Sequence, residues 1–300
     1  MVSIKKNRTS SFIIVTLVYL FSTGVGVLVY SALGPSVFAG IINPSKLYAL
    51  RLLIADVAAT VFVFAFSVVF GNASVYDPYW SVQPIVILFA TMAERVGDGK
   101  PVTIAAWLII AVVTLWGVRL TANWAYTFGN LTHQDWRYTM LHDTTGAFYP
   151  LVNLVGIHLV PTLVVYFCTL PAALAIYLGL DISPLSIPFL LLSLGATVMQ
   201  GISDLQMQRF RKSKVGGFIR VGLWKYSRHP NYLGEILMWW GVGLSVVALE
   251  PRLWHLLLGA VLNTLLFCFV SIPMAEKRQS RKDGFEEYKA QTRILLPLPK

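Results

Sequence analysis

The sequence predicts an all-α protein, a polytopic transmembrane helix bundle of about seven to eight spans. Hydrophobic residues make up 56% of the 300-residue chain, and its mean hydropathy is +0.66. Only 13% of the residues are charged, whereas a soluble domain of this length carries about a quarter. The third observation is a series of long apolar runs, because a helix of about 20 apolar residues crosses the hydrocarbon core of a bilayer.

Seven apolar runs are long enough to be transmembrane helices. The first follows basic residues but has no small-residue cleavage site, which indicates an uncleaved span and not a signal peptide. The stretch 84–96 is shorter, so it is either a re-entrant segment or an eighth span that begins near Tyr79. The seven predicted spans are 12–33, 48–70, 102–124, 151–178, 184–203, 231–249 and 253–272.

Basic residues between the runs predict the orientation. They cluster at 209–228 and at 277–293, and such clusters mark cytoplasmic loops. With eight spans, the N-terminal Lys5, Lys6 and Arg8 face the cytoplasm as well. We therefore expect an integral, multi-pass protein in contact with membrane lipids, in the endoplasmic reticulum if the chain is eukaryotic and in the inner membrane if it is bacterial. The oligomeric state stays open.

The formal charge of +10 has two explanations. Cytoplasmic loops of membrane proteins accumulate Lys and Arg, and a site for nucleotide phosphates would add to them. A nucleic-acid partner is not expected, because the sequence contains no soluble basic domain and no nucleic-acid-binding motif. Cys168 and Cys268 both lie in apolar runs and have no metal-ligand spacing, so neither a disulfide framework nor a metal site is predicted.

The most informative segment is 224–235, at the start of an apolar run. Pro230 fits the first position of a helix, where its missing N–H costs nothing, and Asn231 and Glu235 then share one face. Arg228 and His229 flank this helix start. The free N–H groups and the dipole of a helix start favour an anion, so the segment predicts a phosphate or carboxylate site. The alternative is a capped helix with an interfacial arginine.

A second polar stripe lies at the end of the run that precedes the basic cluster. Asp204, Gln208 and Arg211 are spaced as neighbours on one face of a helix, and Gln200 extends the stripe by one turn. The stripe is either part of a binding site or a helix end whose charges pair with one another.

Four more acidic and basic positions lie at or within the predicted membrane. Asp77 sits between aromatic residues, where partial desolvation would raise its pKa and let it donate a hydrogen bond as a neutral acid; the alternative is an Asp-Pro turn. Arg119 lies near the inner end of its span. Arg51 and Asp56 are expected to pair with each other or to snorkel.

The loop 124–150 contains the run Asp135-Trp136-Arg137-Tyr138. Its remaining polar residues, His133, His142 and Asp143, match no ligand spacing and are expected to be solvated. His158 lies in an apolar span and is expected to be a hydrogen-bonded core residue.

Several common nucleotide and hydrolase motifs are missing from the sequence. It contains no glycine-rich dinucleotide fingerprint, no Walker lysine loop, no serine elbow and no zinc-protease motif. A nucleotide cofactor would therefore be held without a Rossmann domain.

These motifs together resemble the steroid 5α-reductase superfamily, and most closely its large branch of membrane proteins named only as a domain of unknown function. The resemblance runs from about residue 76 to the end, which divides the chain into N-terminal spans (1–75) and a reductase-like membrane domain (76–300). The motifs that carry it are Ser227 to Glu235 with the preceding Gly222-Leu223-Trp224, Asp204-x-Gln206 with Phe210, Asp77-Pro78-Tyr79-Trp80, Trp116-Gly117-x-Arg119-Leu120, Asp135 to Tyr138, and Tyr288 to Pro297.

The resemblance implies an all-helical enzyme that binds NADPH and reduces an activated C=C bond in a steroid-like or other lipid substrate. The resemblance implies that Asp77 polarises the substrate carbonyl, and Tyr79 and Arg119 are the further catalytic candidates. For the cofactor it implies Asp204, Arg211, Asn231 and Glu235. The other candidates for the cofactor are Gln200, Arg228, His229, Tyr232, Asp135 and Arg137.

The sequence departs from the reductase pattern near the substrate carbonyl. Asp77 replaces a glutamate, and Trp116 stands at the position of the tyrosine that pairs with it in the reductases. These changes make a 3-ketosteroid a less obvious substrate, and Tyr79 or Tyr126 is a candidate for the missing hydroxyl.

Two other functions fit parts of the sequence. Isoprenylcysteine and phospholipid methyltransferases share the Arg-His-Pro-x-Tyr-x-Gly core, so a membrane methyltransferase that uses S-adenosylmethionine is the alternative. A transporter is the non-enzymatic alternative, but the inverted repeats typical of transporters do not appear.

Overall fold

The computed structural model describes residues 7–34 and 42–297, and this part of the chain is mainly helical. Lys5 and Lys6, which the predicted orientation uses, lie outside it. The first six helices are α1 (Arg8–Ala32), α2 (Pro44–Phe70), α3 (Tyr79–Gly97), α4 (Ile104–Thr127), α5 (Trp136–Thr145) and α6 (Tyr149–Val152). The next six are α7 (Val160–Leu178), α8 (Ile187–Lys212), α9 (Pro230–Leu249), α10 (Leu258–Leu266), α11 (Ile272–Gln279) and α12 (Phe285–Gln291).

Seven helices in the described part of the chain are long and apolar enough to cross a membrane. Their best 18-residue windows have mean hydropathies between 1.5 and 2.4. The predicted all-α bundle is thus confirmed, and the chain is an integral membrane protein. The seven are Arg8–Ala32, Pro44–Phe70, Ile104–Thr127, Trp136–Leu178, Pro184–Lys212, Pro230–Leu249 and Pro251–Gln279.

The ambiguous stretch is the helix α3, and it does begin at Tyr79. Its 19 residues span about 28 Å at 1.5 Å per residue, close to the thickness of a hydrocarbon core. Helix α3 packs along α4 and α7, so it belongs to the bundle and has the length that an eighth span needs. Pro84 lies inside it, which neighbouring helices make tolerable in a membrane.

Helix α7 occupies the centre of the bundle. It contacts α2, α3, α4, α9 and α10, and 72% of the best window of its span is buried, compared with 17% in α1. Small residues such as Ala172 and Ala173 face its neighbours without any exposed surface. A centre built this way lets the neighbouring helices pack closely against α7.

Two glycines set the close contact between α8 and α9. A Cβ atom on Gly234 would lie 2.5 Å from Gln200 Cγ and 2.8 Å from the Ala196 carbonyl oxygen. One on Gly241 would lie 2.6 Å from the Phe189 carbonyl oxygen. Small residues let the backbones of membrane helices approach closely. The pair α8–α9 therefore carries the residues Gln200 and Glu235 at a fixed separation.

We expect Gly241→Ala to destabilise the protein. The added methyl group meets backbone atoms of α8, and overpacking of this kind costs about 1–3 kcal/mol, or about 2–4 °C of melting temperature per kcal/mol. Thermal unfolding of the purified protein in detergent measures the change. Gly195→Ala in α8 is the matched control, since a Cβ there has nothing within 4 Å; an equal loss in both variants would contradict the close contact.

Candidate functional site

A cavity of about 710 Å³ opens at one end of the bundle. Two loops, 71–78 and 128–135, form part of its wall, and residues of helices α3 to α11 and of the segments between them supply the rest. Its volume lies within the usual range of ligand pockets, about 300–1,000 Å³. The predicted site residues that line it are Asp77, Arg119, Asp135, Arg137, Gln200, Asp204, Asn231, Tyr232 and Glu235.

Side-chain hydrogen bonds join the two loops to each other. The Asn72 amide donates to the Leu131 carbonyl at 2.8 Å and to the His133 carbonyl at 3.1 Å. In the opposite direction, the Asp135 N–H donates to Ser74 Oγ at 2.9 Å. The loop that carries Asp77 is thus fixed against the loop that leads into α5.

This arrangement places Asp77 against Tyr138. The Tyr138 hydroxyl donates to Asp77 Oδ1 at 2.7 Å. Burial raises the pKa of the Asp77 carboxyl to about 6, against the opposing effects of the Arg137 charge and the Tyr138 hydrogen bond. A carboxyl group with such a pKa is partly neutral near physiological pH and can then donate a hydrogen bond.

Asp135 and Arg137 pair with each other at the start of α5. Asp135 Oδ1 caps the helix by accepting from the Arg137 N–H at 2.9 Å, and it also accepts from Arg137 Nε at 2.7 Å. The Arg137 side chain is 45% exposed, so the pair lies at the mouth of the cavity. An arginine there could meet an anionic group that enters from solvent.

Glu235 is buried in the inner wall of the cavity, with 5% of its surface exposed. Its two carboxylate oxygens accept hydrogen bonds from Trp116 Nε1 at 2.8 Å and Trp239 Nε1 at 2.9 Å. A buried carboxylate is costly unless its oxygens are satisfied. The two indoles therefore hold Glu235 in place and tie α4 to α9.

Arg119 lies beside Gln200 and Asp204. Its guanidinium donates to Asp204 Oδ2 at 2.6 Å and to Gln200 Oε1. Both members of the ion pair are shielded, with side-chain exposures of 16% and 15%. The contact observed for Arg119 is thus with residues predicted to bind the cofactor, and not with Asp77.

The packing explains the spacing of the motif Trp116-Gly117-x-Arg119. Trp116 reaches Glu235 on α9, and Arg119 reaches Asp204 on α8. Between them, a Cβ on Gly117 would overlap the Ser81 carbonyl oxygen and lie 2.8 Å from Ile85 Cδ1. The glycine lets α4 lie against α3 while the flanking side chains point to the site.

Four buried polar atoms of the cavity wall have no hydrogen-bond partner within the described ranges. They are Arg119 Nε, Gln200 Nε2, Asn231 Oδ1 and Asn263 Nδ2. Buried polar groups are normally satisfied. Donors and acceptors left open on several helices around one cavity indicate a ligand with several polar groups, or ordered water in its place.

Arg228 and His229 do not line the cavity, although both were predicted to bind an anion there. The Arg228 guanidinium donates to both Glu276 oxygens, at 2.9 and 3.1 Å, and His229 Nε2 lies 2.8 Å from Glu276 Oε1. Arg228 also donates to the main-chain carbonyls of Lys289 and Thr292. Glu276 and the C-terminal segment use these groups, and in the described residues no side-chain hydrogen bond caps the start of α9.

Two further predicted residues lie apart from the cavity wall. The Tyr79 ring packs between Tyr19 and Tyr76, with centroid distances of 5.5 Å to each. Arg211 is exposed near the end of α8. Tyr232 does line the cavity, and its ring stacks on His229 at 5.2 Å.

The remaining wall of the cavity is mostly apolar. Two π-helical segments, Asn153–Leu159 and Phe267–Ser271, contribute to it from adjoining helices. Such segments recur at functional sites, where they redirect side chains. Gly156 and Val270 line the cavity and are themselves exposed, so the apolar wall is open at these residues.

Some residues of the site were not among the predicted ones. The sequence shows Tyr138 only as part of the run 135–138 and does not mark its hydroxyl as a group of the site. Asn263 and Trp239 were not singled out, although an amide within an apolar helix is itself a signal. Glu276 is an acid directly before the basic cluster 277–293, and that contrast could have identified it as a partner of Arg228.

Comparison with known proteins adds three relatives. An uncharacterized protein of Schizosaccharomyces pombe is 26% identical over 193 residues, which is 56% of this chain and 56% of the relative. The 3-oxo-5-alpha-steroid 4-dehydrogenase 1 proteins of Macaca fascicularis and Homo sapiens are 32% and 31% identical over 97 residues, 32% of this chain and 34% of each relative. The chain thus spans about half the length of the yeast relative and a third of the two dehydrogenases. No solved structure matches the chain.

The family comparison covers most of the chain. Residues 63–292 match the family described as "Protein of unknown function (DUF1295)", and this range contains every residue named above as lining the cavity. Together with the similarity to the steroid dehydrogenases, the match identifies the family. The chain belongs to the DUF1295 family, a branch related to the steroid 5α-reductases.

Proposed function

We propose that this protein is an NADPH-dependent reductase that acts within the membrane on an activated C=C bond of a steroid-like or other lipid substrate. The observation that carries the proposal is the pair Tyr138–Asp77, with 2.7 Å between its oxygens, on the wall of a large cavity. The relation to a membrane reductase family supports it.

The polar side of the cavity fits a dinucleotide. The carboxylates of Asp204 and Glu235 can accept hydrogen bonds from ribose hydroxyls, and the open atoms of Gln200 and Asn231 can pair with amide or phosphate groups. Arg137 at the mouth can meet a phosphate, as arginine commonly does. Asp204, Gln200, Asn231 and Glu235 would thus hold NADPH, with Arg137 at its anionic end.

The apolar side of the cavity fits a lipid. It is lined by Val164, Val165, Leu266, Phe267 and Val270, and Val270 is exposed on a helix apolar enough to span the membrane. A hydrophobic substrate could enter there from the lipid. Asp77 and Tyr138, an acid–hydroxyl pair of the same cavity, would then meet the polar end of the substrate.

Bound NADPH supplies a hydride for the β-carbon of an enone- or enoyl-like group. The protein's part is to stabilise the negative charge that then develops on the carbonyl oxygen. Neutral Asp77 can donate a hydrogen bond to that oxygen while Tyr138 donates to Asp77 Oδ1 and so increases its acidity. A single donor of this kind is worth about 3–4 kcal/mol in oxyanion holes. The apolar wall excludes water and strengthens the interaction.

We expect Asp77→Asn to lower kcat for NADPH-dependent reduction of a 4-en-3-one steroid by about 100-fold. Tyr138→Phe should lower it by about tenfold, because one supporting hydrogen bond is lost. NADPH affinity, measured by nucleotide fluorescence, should stay within about twofold, since neither residue is assigned to the cofactor. Steady-state kinetics of the protein in lipid nanodiscs gives these values.

Tyr126→Phe is the matched control for Tyr138→Phe. Its side chain is 49% exposed and does not line the cavity, so its kcat should equal that of the wild type. Wild-type activity in both Asp77→Asn and Tyr138→Phe would refute the assigned pair.

The reduction should depend on pH through Asp77. Because burial raises the pKa of this carboxyl to about 6, the neutral donor predominates below pH 6 and is lost above it. We expect kcat/KM to fall about tenfold per pH unit above that value. The residual activity of Asp77→Asn should lack this decline, and a decline shared by both proteins would assign it to another group.

Nucleotide selectivity tests the cofactor assignment. NADPH should raise the melting temperature of the purified protein, whereas S-adenosylmethionine should not. Asn231→Ala and Glu235→Gln should each weaken NADPH binding by about tenfold or more, which equals one lost hydrogen bond in a buried site. Arg211→Ala is the control, since Arg211 does not line the cavity. A shift with S-adenosylmethionine alone would favour the methyltransferase and end the reductase proposal.

A further inference from the structure

A second polar cluster lies inside the bundle, beside the main cavity. Its centre is Asp56 on α2, which is 3% exposed. Asp56 Oδ1 has no hydrogen-bond partner in the part of the chain that the structure describes. A carboxyl group within a transmembrane helix is expensive to keep unless it serves a function.

Asp56 is not neutralised by Arg51, in contrast to the pairing expected from the sequence. The Arg51 guanidinium donates to the Tyr30 carbonyl at 3.0 Å and lies 4.0 Å from the centroid of the Tyr30 ring. The polar side chains that face Asp56 are those of Tyr79 and Gln83, which carry no charge. A buried carboxyl that faces no cation favours its neutral form, so these surroundings favour a protonated Asp56.

The acid borders a small void. Asp56, Tyr79, Gln83 and Thr162 all line this space, whose volume of about 10 Å³ is at the lower limit for holding one water molecule. Thr162 lies on the far side, on α7. A water molecule there could bridge the Asp56 carboxyl to the Thr162 hydroxyl.

From Thr162, hydroxyl groups lead to the main cavity. Thr162 Oγ1 lies 3.1 Å from Thr60 Oγ1 and 2.8 Å from the Tyr76 hydroxyl oxygen. Tyr76 lines the main cavity and immediately precedes Asp77. A hydroxyl can donate one proton while it accepts another. Thr162 and Tyr76 therefore form a hydrogen-bonded path from the void to the proposed substrate site.

We propose that Asp56 is an internal proton store that supplies the second hydrogen of the reduction through Thr162 and Tyr76. The inference rests on the proposed reductase function and extends it, because reduction of a C=C bond needs a proton as well as a hydride. It assigns a catalytic role to Tyr76 and a proton-supplying role to Asp56, neither of which the Asp77–Tyr138 pair provides.

The proton and electron balance is as follows. After the hydride reaches the β-carbon, the substrate is an enolate, and its electron pair forms a new C–H bond at the α-carbon as the Tyr76 O–H bond breaks. Tyr76 regains a proton from Thr162, and Thr162 regains one from the Asp56 carboxyl through the water in the void. Once product leaves, water in the main cavity returns a proton along the same path to the Asp56 carboxylate.

Infrared spectroscopy tests the stored proton without any turnover. The difference spectrum between wild type and Asp56→Asn at pH 8 should contain the C=O stretching band of a neutral carboxyl, because Asp77 is ionised at that pH in both proteins. The band should persist without NADPH or substrate. Its absence, with a carboxylate band in its place, would overturn the proposal.

Kinetics with NADPH and a 4-en-3-one steroid test the path. Asp56→Asn and Thr162→Val should each lower kcat by about 100-fold, the lower range of general acid catalysis, and raise the solvent deuterium isotope effect on kcat. NADPH affinity should not change. Thr91→Val is the matched control, because Thr91 is also a buried threonine that contacts a tyrosine, Tyr48, but lies off the path.

The outcomes separate the two proposals. A wild type that neither binds NADPH nor reduces the steroid refutes the reductase function, and the proton path with it. A wild type that is active, with Asp56→Asn and Thr162→Val equal to it in kcat and isotope effect, refutes only the proton path. Equal losses in Thr162→Val and Thr91→Val would also refute the path, since a general packing defect would then explain both.

Discussion

The buried Glu235 carboxylate is the interaction on which the arrangement of the site depends. Its oxygens accept from indoles on α4 and on its own helix, so an acid on α9 fixes the position of α4. The same segment of α4 presents Arg119 to α8. Three helices thus meet around polar groups that could not remain unsatisfied in an apolar interior. The cavity is the space beside these polar groups that the packed helices do not fill.

Two kinds of structural element hold the polar residues of the cavity in place. The residues on α4, α8 and α9 lie on long helices whose backbones are locked by close contacts at Gly117, Gly234 and Gly241. Asp77 and Tyr138, by contrast, depend on two loops that hold each other through Asn72 and Ser74. Side chains on rigid helices suit the binding of a constant cofactor, whereas loops can change more readily with the substrate.

The sequence was sufficient to predict the bundle, because its strongest signal is the length of apolar runs. It also indicated Asn231 and Glu235 as one helix face, since that follows from helical spacing alone. Helical spacing could not show which charged side chains meet in the folded protein. Arg228 and Glu276 are 48 positions apart, and only the folded chain reveals that they satisfy each other.

The pairing of Asp77 with Tyr138 was hidden for the same reason. The two are 61 positions apart, Asp77 on a loop and Tyr138 in the first turn of α5, and several nearer tyrosines, such as Tyr79, were equally consistent with the sequence. Which tyrosine meets Asp77 depends on the hydrogen bonds between the two loops, and no periodic pattern in the sequence predicts those bonds. Tyr79 is instead turned toward Tyr19 and Tyr76 by aromatic packing.

The hydrogen bonds from Arg228 to the main chain of the C-terminal segment have an evolutionary consequence. The Arg228 guanidinium donates hydrogen bonds to the main-chain carbonyls of residues 289 and 292, and the bridge between Ser227 and Arg293 is also made by the main chain. These contacts do not depend on which side chain residues 289 and 292 carry, but they do depend on the position of each residue along the segment. Substitutions at exposed positions of this segment, such as Gln291, should therefore accumulate over time, while a single inserted or deleted residue would be selected against.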